Sequence, residues 1–386
     1  MKGSIIKRNH SYCVIIELDP NPKTGKRHQK WYTTHSSKEA DKLRNDLLSQ
    51  RDKGIYVEPR KQTVADYLNS WLTDYVQPNL APMTYQIRAQ QINRHIIPSL
   101  GKILLTSLNP DQLQQFYSEK LSGGRVDHKG ALSARTVHDL HGILHAALRK
   151  AVKRGLVIRN VADSTDPPQF TRSEMHTLNK DGLKTVLEAA RNTQYFGLFY
   201  ILLFTGMRRS EALALRVSDV NLSKATISVT RSMHRMRTGE VVFRPPKTET
   251  SKRDIILSPS ACLILTQHKD NEEALRGKLK DDALIFAHID GSPLLPDSVS
   301  HSWMKLVRRC GLRGIRLHDA RHTHASLMFD QGIPAKIISA RLGHASVKVT
   351  LDIYTHPSEE VQAAAAARFD EILTPRLENK EIESIR

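Results

Sequence analysis

The chain has 386 residues, 39% hydrophobic and 25% charged, with 58 Lys plus Arg against 40 Asp plus Glu and a formal net charge of +18. That length suits two or three domains, and the apolar content suffices for packed cores, which excludes collagen-like, wholly disordered and disulfide-scaffold proteins. Cys13, Cys262 and Cys310 are scattered with no C-x-x-C pairing, which points to a reducing compartment and away from a cysteine zinc site.

The first residues lack an apolar signal core, and the longest apolar stretch, 195–204, is about half of the roughly 20 residues that a bilayer-spanning helix needs. A soluble, cytosolic protein with no membrane partner is expected. The excess charge is spread along the chain: +7 over 1–61, +5 over 62–165, +9 over 166–358 and −3 over 359–386. Every segment but the tail faces a polyanion, which differs from one basic arm on a neutral body.

In chain order, 12–18 and 30–34 alternate apolar and polar residues and read as strands around the turn-rich 19–25. Ser36-Ser37-Lys38-Glu39 is a capping-box start, and Ala40, Leu43 and Leu47 form one helical stripe. Lys26, Arg27, Lys30 and Trp31 gather around the hairpin, a set suited to phosphate or groove contact; the alternative is a solvated hairpin beside a core tryptophan. This module spans 1–56, and 57–62 reads as a linker. Thr63 then caps a helix with Val64, Tyr67, Leu68, Trp71, Leu72 and Tyr75 on one face, expected to end near Pro78. Helical stripes follow at 84–97, 110–121 and 133–154. The last turns Val137, Leu140, Leu144, Leu148 and Ala151 inward and Arg135, Arg149, Lys150, Lys153 and Arg154 outward. Residues 63–162 thus form a basic all-helical domain, with Arg88, Arg149, Lys150 and Lys153 as candidate phosphate contacts, and 163–171 is the next linker.

From there to 358 the chain reads as helical, interrupted by a β region at 225–257. Thr205-Gly206-Met207-Arg208-Arg209-Ser210-Glu211 follows an apolar helix, with Arg208 and Glu211 three apart; taken alone, such a pair is a surface salt bridge. Strands at 226–230 and 251–257 flank a basic stretch, with seven basic residues from Arg231 to Arg253, among them Lys247 at a hairpin tip stiffened by Pro245 and Pro246. His318 and Arg321 in Leu317-His318-Asp319-Ala320-Arg321-His322-Thr323-His324 share a helical face that suits an anionic oxygen pair. His318 and His322 raise a metal reading, but no glutamate stands beside His318 as an H-E-x-x-H site requires. Gly332-Ile333-Pro334 starts a short helix that Leu342-Gly343-His344 ends, and Ser346 caps another running to Tyr354. Tyr354 can be a core tyrosine, and 332–354 can be a helix-turn-helix.

Together these pieces resemble the tyrosine recombinase family of site-specific integrases. The series T-G-x-R-x-x-E, a hairpin Lys, H-x-x-R, L-G-H and a Tyr ten residues after that His is present as Thr205 to Glu211, Lys247, His318/Arg321, Leu342-Gly343-His344 and Tyr354. The resemblance implies a multidomain, mainly α protein with small β modules. Its parts are an N-terminal three-stranded sheet plus helix that binds arm-type DNA sites, an all-α core-binding domain and an α+β catalytic domain at 172–358. The tail at 359–386 is expected to contact a neighbouring subunit.

The implied reaction cleaves and rejoins double-stranded DNA through a 3′-phosphotyrosine formed by Tyr354, integrating and excising a phage or mobile element. Arg208, Arg321 and His344 would stabilise the phosphate, His318 would serve as base, Lys247 would protonate the leaving 5′-oxygen, and Glu211 would buttress the arginine and histidine. No cofactor and no metal are called for, since bond energy is kept in the phosphotyrosine. A homotetramer on DNA, an excisionase and a DNA-bending accessory protein are the expected partners. A DNA-binding regulator built on 332–354 leaves the phosphate-transfer set unexplained, and a chromosome-dimer resolvase would lack the N-terminal sheet.

Overall fold

The structure, a computed structural model, describes residues 3–8, 10–18, 28–52, 61–127, 130–171, 176–246, 251–344 and 346–351, with short helical pieces between 362 and 370. The chain divides into two compact units, Met1–Arg172 and Ser173–Arg386. No helix among the described residues is long and apolar enough to cross a membrane.

The first unit begins with an antiparallel sheet of β1 (Ser4–Arg8), β2 (Ser11–Leu18) and β3 (His28–Thr34), followed by α1 (Ser37–Asp52). Side chains alternate across a strand, so Val14 and Ile16 face Ala40 and Leu47 of α1, with Tyr32 packed beside them. Trp31, of opposite parity, pairs with Ile15 and stays 46% exposed, with the Arg8 guanidinium 5.0 Å from its ring. The core-tryptophan alternative is therefore corrected. Ser36 caps α1 by accepting the Glu39 N–H at 3.2 Å.

The helical part runs through α2 (Val64–Trp71), α3 (Gln77–Asn79), α4 (Pro82–Gln91), α5 (Ile97–Leu100), α6 (Pro110–Gly123) and α7 (Ala134–Lys153). Thr63 and Asp66 form a reciprocal capping box at the start of α2. The helix does end near Pro78, with α3 closing at Asn79 and Leu80 in extended conformation, but it is not a regular α-helix up to that point. A π turn at Leu72–Val76 joins α2 to α3, and another at Ile92–Ile96 joins α4 to α5. Each lies two residues before a proline, Pro78 or Pro98, whose ring would clash with the carbonyl four residues back in a regular α-helix. The extra residue rotates the stripe, so Val76 is buried and Tyr75 emerges, covered by Lys150 at 4.6 Å. On α7 the buried stripe is Val137, Leu140, Ile143, Leu144, Ala147, Leu148 and Ala151. Arg149 and Lys153 project into solvent, and Arg88 lies 5.8 Å from the Trp71 ring.

The stretch at 163–171 is strapped down. Gln114 donates to the Asp166 carbonyl and accepts its N–H, while Phe170 packs edge-on against His138 and under the Arg135 guanidinium.

The second unit packs α8 (Lys180–Ala190), α9 (Phe196–Thr205), α10 (Arg209–Ala212), α11 (Pro259–Arg276), α12 (Pro296–Arg309) and α13 (Asp319–Asp330) around one apolar core, with α14 (Ala335–Leu342) and α15 (Val347–Leu351) following. Helix α9 is apolar all round and accordingly buried on most sides. Strands β4 (Val220–Asn221), β5 (Thr226–Val229) and β8 (Arg253–Ile256) form one antiparallel sheet, and β6 (Ser232–Arg235) with β7 (Val241–Arg244) forms a separate hairpin. The basic stretch between β5 and β8 is thus not a single loop. Its hairpin turns at Met236 to Glu240, with Gly239 at φ +91°. Lys247 is not at that tip; it falls in 247–250, outside the described residues, on the connection from β7 to β8.

Candidate active site

The T-G-x-R-x-x-E segment ends one helix and starts another. Gly206 takes φ +66°, and a Cβ there would lie 2.5 Å from Leu342 Cδ2 and 2.8 Å from His324 Cδ2, so only glycine fits. Its carbonyl then accepts from Arg321 Nη1 at 2.9 Å. Arg208 is the N-cap of α10, with extended backbone rather than a place on the helical face. Glu211 accepts the Arg208 N–H at 2.9 Å and Arg208 Nη1 at 2.7 Å, while Arg208 Nη2 donates to the Gly343 carbonyl at 3.3 Å.

Glu211 is not part of a surface pair, since its side chain is 5% exposed and it also accepts from Arg253 Nη2 at 2.9 Å. Burial would raise its pKa, but the Arg253 and Arg208 interactions outweigh burial and hold the carboxyl below the usual carboxylate range. Among the described residues its partners are two arginines, and the expected histidine contact is not found there.

The same local device recurs. In Arg208/Glu211, Arg216/Asp219 and Arg316/Asp319 the acid accepts both the backbone N–H and the guanidinium of the arginine three residues earlier. The first two satisfy the N-cap N–H of a helical turn, and the third ties Arg316 to Asp319, the first residue of α13. The third orients His318, which is the N-cap of α13 and lies exposed beside fully buried Asp319.

Arg321 is 4% exposed. The His318 and His322 rings meet edge-on at 5.1 Å. Gly343 closes α14 at φ +68°, and His344 Nδ1 lies 2.7 Å from Oγ1 of buried Thr350. Surrounding protein and then the Arg321 and Arg208 charges push the His344 pKa down to about 4. Burial and then His318 do the same for His322, also about 4, while partial desolvation by neighbouring protein and then Arg321 lower that of His318, whose side chain still reaches solvent. His324, brought to about 4 by burial and Arg341, lies 3.0 Å through Nδ1 from the Leu203 carbonyl and accepts from Arg341 Nε. At neutral pH these imidazoles are uncharged. A cleft of ≈ 520 Å³ lined by Arg208, Arg209, Arg316 and His318 opens on the site.

The depressed histidines give stability a pH dependence of definite sign. In the unfolded chain they titrate near 6.5, and His322, His324 and His344 titrate near 4 when folded. The unfolded chain therefore binds more protons between those values. Their contribution is complete above about pH 6.5 and is lost as pH falls toward about 4. Thermal melts at about pH 7.5 and pH 5 are expected to differ by several degrees, lower in acid. A melting temperature unchanged over that range would contradict the buried, neutral assignment.

The structure brings Arg208, Glu211, His318, Arg321 and His344 together. Tyr354 and Lys247 lie outside the described residues, as do Lys26 and Arg27 and nearly all of the tail. Lys30 and Trp31 sit on β3 of the first unit, and Arg88, Arg149, Lys150 and Lys153 belong to its helical part. Among the described residues no group of three His, Cys, Asp or Glu side chains could hold a metal ion. Spacing along the chain does not mark Arg253, Arg341, Asp319 or Thr350. Arg253 had one available signal: it shares strand parity with buried Ile255.

Residues 176–360 match the phage integrase family, and residues 63–121 match the phage integrase N-terminal SAM-like domain. The ICEBs1 integrase of Bacillus subtilis is 28% identical over 95% of this chain and 98% of its own length. The "Tyrosine recombinase XerC-like" protein of Caldanaerobacter subterraneus subsp. tengcongensis is 23% identical over 94% and 97%. A structure of the Tn1549 transposon integrase in complex with a circular intermediate DNA superposes with TM-score 0.68 at 19% identity, covering 80% of this chain and 99% of that one. A lambda integrase tetramer bound to a Holliday junction gives 0.57 at 18%, covering 92% and 96%. The helix–sheet architecture, the segment that holds Arg208 against Glu211, and these matches along nearly the whole chain lead to one assignment: the chain belongs to the phage integrase family and is a tyrosine recombinase, an enzyme that cleaves and rejoins DNA.

Proposed function

We propose that this recombinase integrates and excises a phage or other mobile element at attachment sites in double-stranded DNA, working in the cytoplasm as a homotetramer. In the reaction Tyr354 Oη bonds to phosphorus, the P–O5′ bond breaks, the phenolic proton passes to His318, and Lys247 gives its proton to the leaving 5′-oxygen. Attack by a partner strand's 5′-hydroxyl reverses the sequence and reseals the joint. Charge builds on the non-bridging oxygens, where fixed cations stabilise it. Arg208 and Arg321 present planar forks for those oxygens, and neutral His344 donates a further hydrogen bond. A Thr350 hydroxyl donating to Nδ1 would leave Nε2 protonated and free to do so. The carrying observation is this convergence of two guanidinium groups, one of them buried, with imidazoles that are uncharged at neutral pH.

Lys26, Arg27, Lys30 and Trp31 are assigned to arm-site DNA, and Arg88, Arg149, Lys150 and Lys153 to phosphates of the core site. The exposure of Trp31, Arg149 and Lys153 supports that division. An excisionase and a DNA-bending protein would set the direction. The similar integrases solved in complex with circular intermediate DNA and bound to a Holliday junction favour this reading over a regulator.

The test is trapping. Nicked duplexes drawn from the repeats that flank the gene are expected to yield a covalent protein–DNA adduct on a denaturing gel, at full yield in excess chelator. Absence of any adduct would overturn the proposal, and loss with chelator restored by added metal would return the His318–His322 pair to consideration as ligands.

A further inference from the structure

We infer that Arg253 is a positioning residue for the phosphate-binding half of the site, acting through Glu211 and the 341–344 turn; this rests on the recombinase chemistry proposed above. Its side chain is 6% exposed and spends every guanidinium nitrogen on protein. Nε donates to the Arg341 carbonyl at 2.7 Å, Nη1 to the Ser251 carbonyl at 3.2 Å and Nη2 to Glu211 Oε2 at 2.9 Å. Buried and held on three sides by protein acceptors, the group acts through its neighbours.

Those neighbours are the parts that hold phosphate-directed groups. Arg208 takes the other oxygen of Glu211 and the carbonyl of Gly343. The two arginines therefore bridge the same pair of anchors, Glu211 on one side and the α14 terminus on the other. The fit is close: a Cβ at Gly343 would lie 3.0 Å from Arg253 Nη1 and 3.1 Å from Cδ. The Arg341 carbonyl belongs to the unsatisfied last turn of α14, where a cation is favoured. His344 follows directly, so a turn that shifts carries its imidazole along.

Removing the guanidinium leaves a buried carboxylate with one cation. Glu211 would then draw Arg208 inward, away from phosphate, and the turn holding His344 would lose an anchor. Lysine can keep the ion pair with Glu211, but a single ammonium lacks the fork that spans three acceptors on different sides. Arg253→Lys therefore separates charge from geometry.

The experiment uses the full chain carrying R253K or R253Q and a duplex on which the parent forms its adduct. Single-turnover adduct formation is expected to fall at least about tenfold in R253K and about 100-fold in R253Q. Duplex affinity by fluorescence anisotropy should stay within about threefold, and the R253K melting temperature within a few degrees of the parent. A substrate with sulfur at the 5′-bridging position, whose leaving group departs without protonation, should not restore the R253K rate, because the lost contribution is stabilisation of phosphate charge. A parent-like rate in R253K, rescue by the sulfur substrate, or a rate loss matched by an equal loss of affinity would each overturn the inference. R253K preserves the buried ion pair and so keeps the test open if R253Q does not fold. A parent that forms no adduct on any duplex would instead defeat the recombinase chemistry itself, before Arg253 is at issue.

Discussion

Replacing Tyr354 by Phe is expected to abolish the covalent protein–DNA adduct while leaving duplex affinity within about threefold of the parent. In the proposed reaction the phenolic oxygen bonds to phosphorus, and Phe has no oxygen to offer. An unperturbed tyrosine titrates near 10, so the reaction needs a base in place as the bond forms. His318, accessible at the start of α13 and uncharged at neutral pH, has the right state for that task. Affinity should survive because counterion release by many Lys and Arg contacts dominates DNA binding, and deleting one hydroxyl removes none of them. A denaturing gel with labelled nicked duplex reads the adduct, and anisotropy at fixed salt reads the affinity. Adduct formation by the Phe variant would place the nucleophile on another residue.

Arg321→Lys is expected to lower the single-turnover rate by roughly 10²–10³, the usual cost of one donor aimed at transition-state charge, with duplex affinity little changed. Arg321 is buried and its Nη1 donates to the Gly206 carbonyl, which fixes the plane of the guanidinium. Lysine keeps the positive charge but loses the planar fork, so it cannot hold that carbonyl and present two parallel donors to the phosphate. A fall in rate without a fall in affinity marks an interaction made only in the transition state. Equal losses of both would make Arg321 a ground-state phosphate contact instead.

How far the sequence could be read differed by element. The capping residues Ser36 and Thr63, the apolar face of α7 and the all-round apolarity of α9 follow from patterns within one helix, and the structure has them where those patterns put them. The end of the first long helix near Pro78 was legible, but not the route to it: a π turn before Pro78 and another before Pro98 absorb the ring clash, and the first turns Tyr75 outward. The hairpin β6–β7 was hidden because its short, basic strands contain only four residues each, too few for alternation to stand out. Trp31 was left open between core and surface because parity needs a register, and the register comes from pairing with β2.

The sequence by itself determined the family and the order of its motif residues, because the T-G-x-R-x-x-E, H-x-x-R and L-G-H segments are local and their spacing survives without knowledge of the fold. Only the tertiary structure decided what holds those segments together. Glu211 meets Arg253 across 42 positions, Arg321 meets Gly206 across 115, and Arg208 reaches Gly343 across 135. Such contacts arise where α13 packs on α9 and α14, and α14 packs on β8. No periodicity along the chain encodes which arginine will face a buried carboxylate; that follows from burial, which forces each charge to find a partner among whatever the fold places beside it.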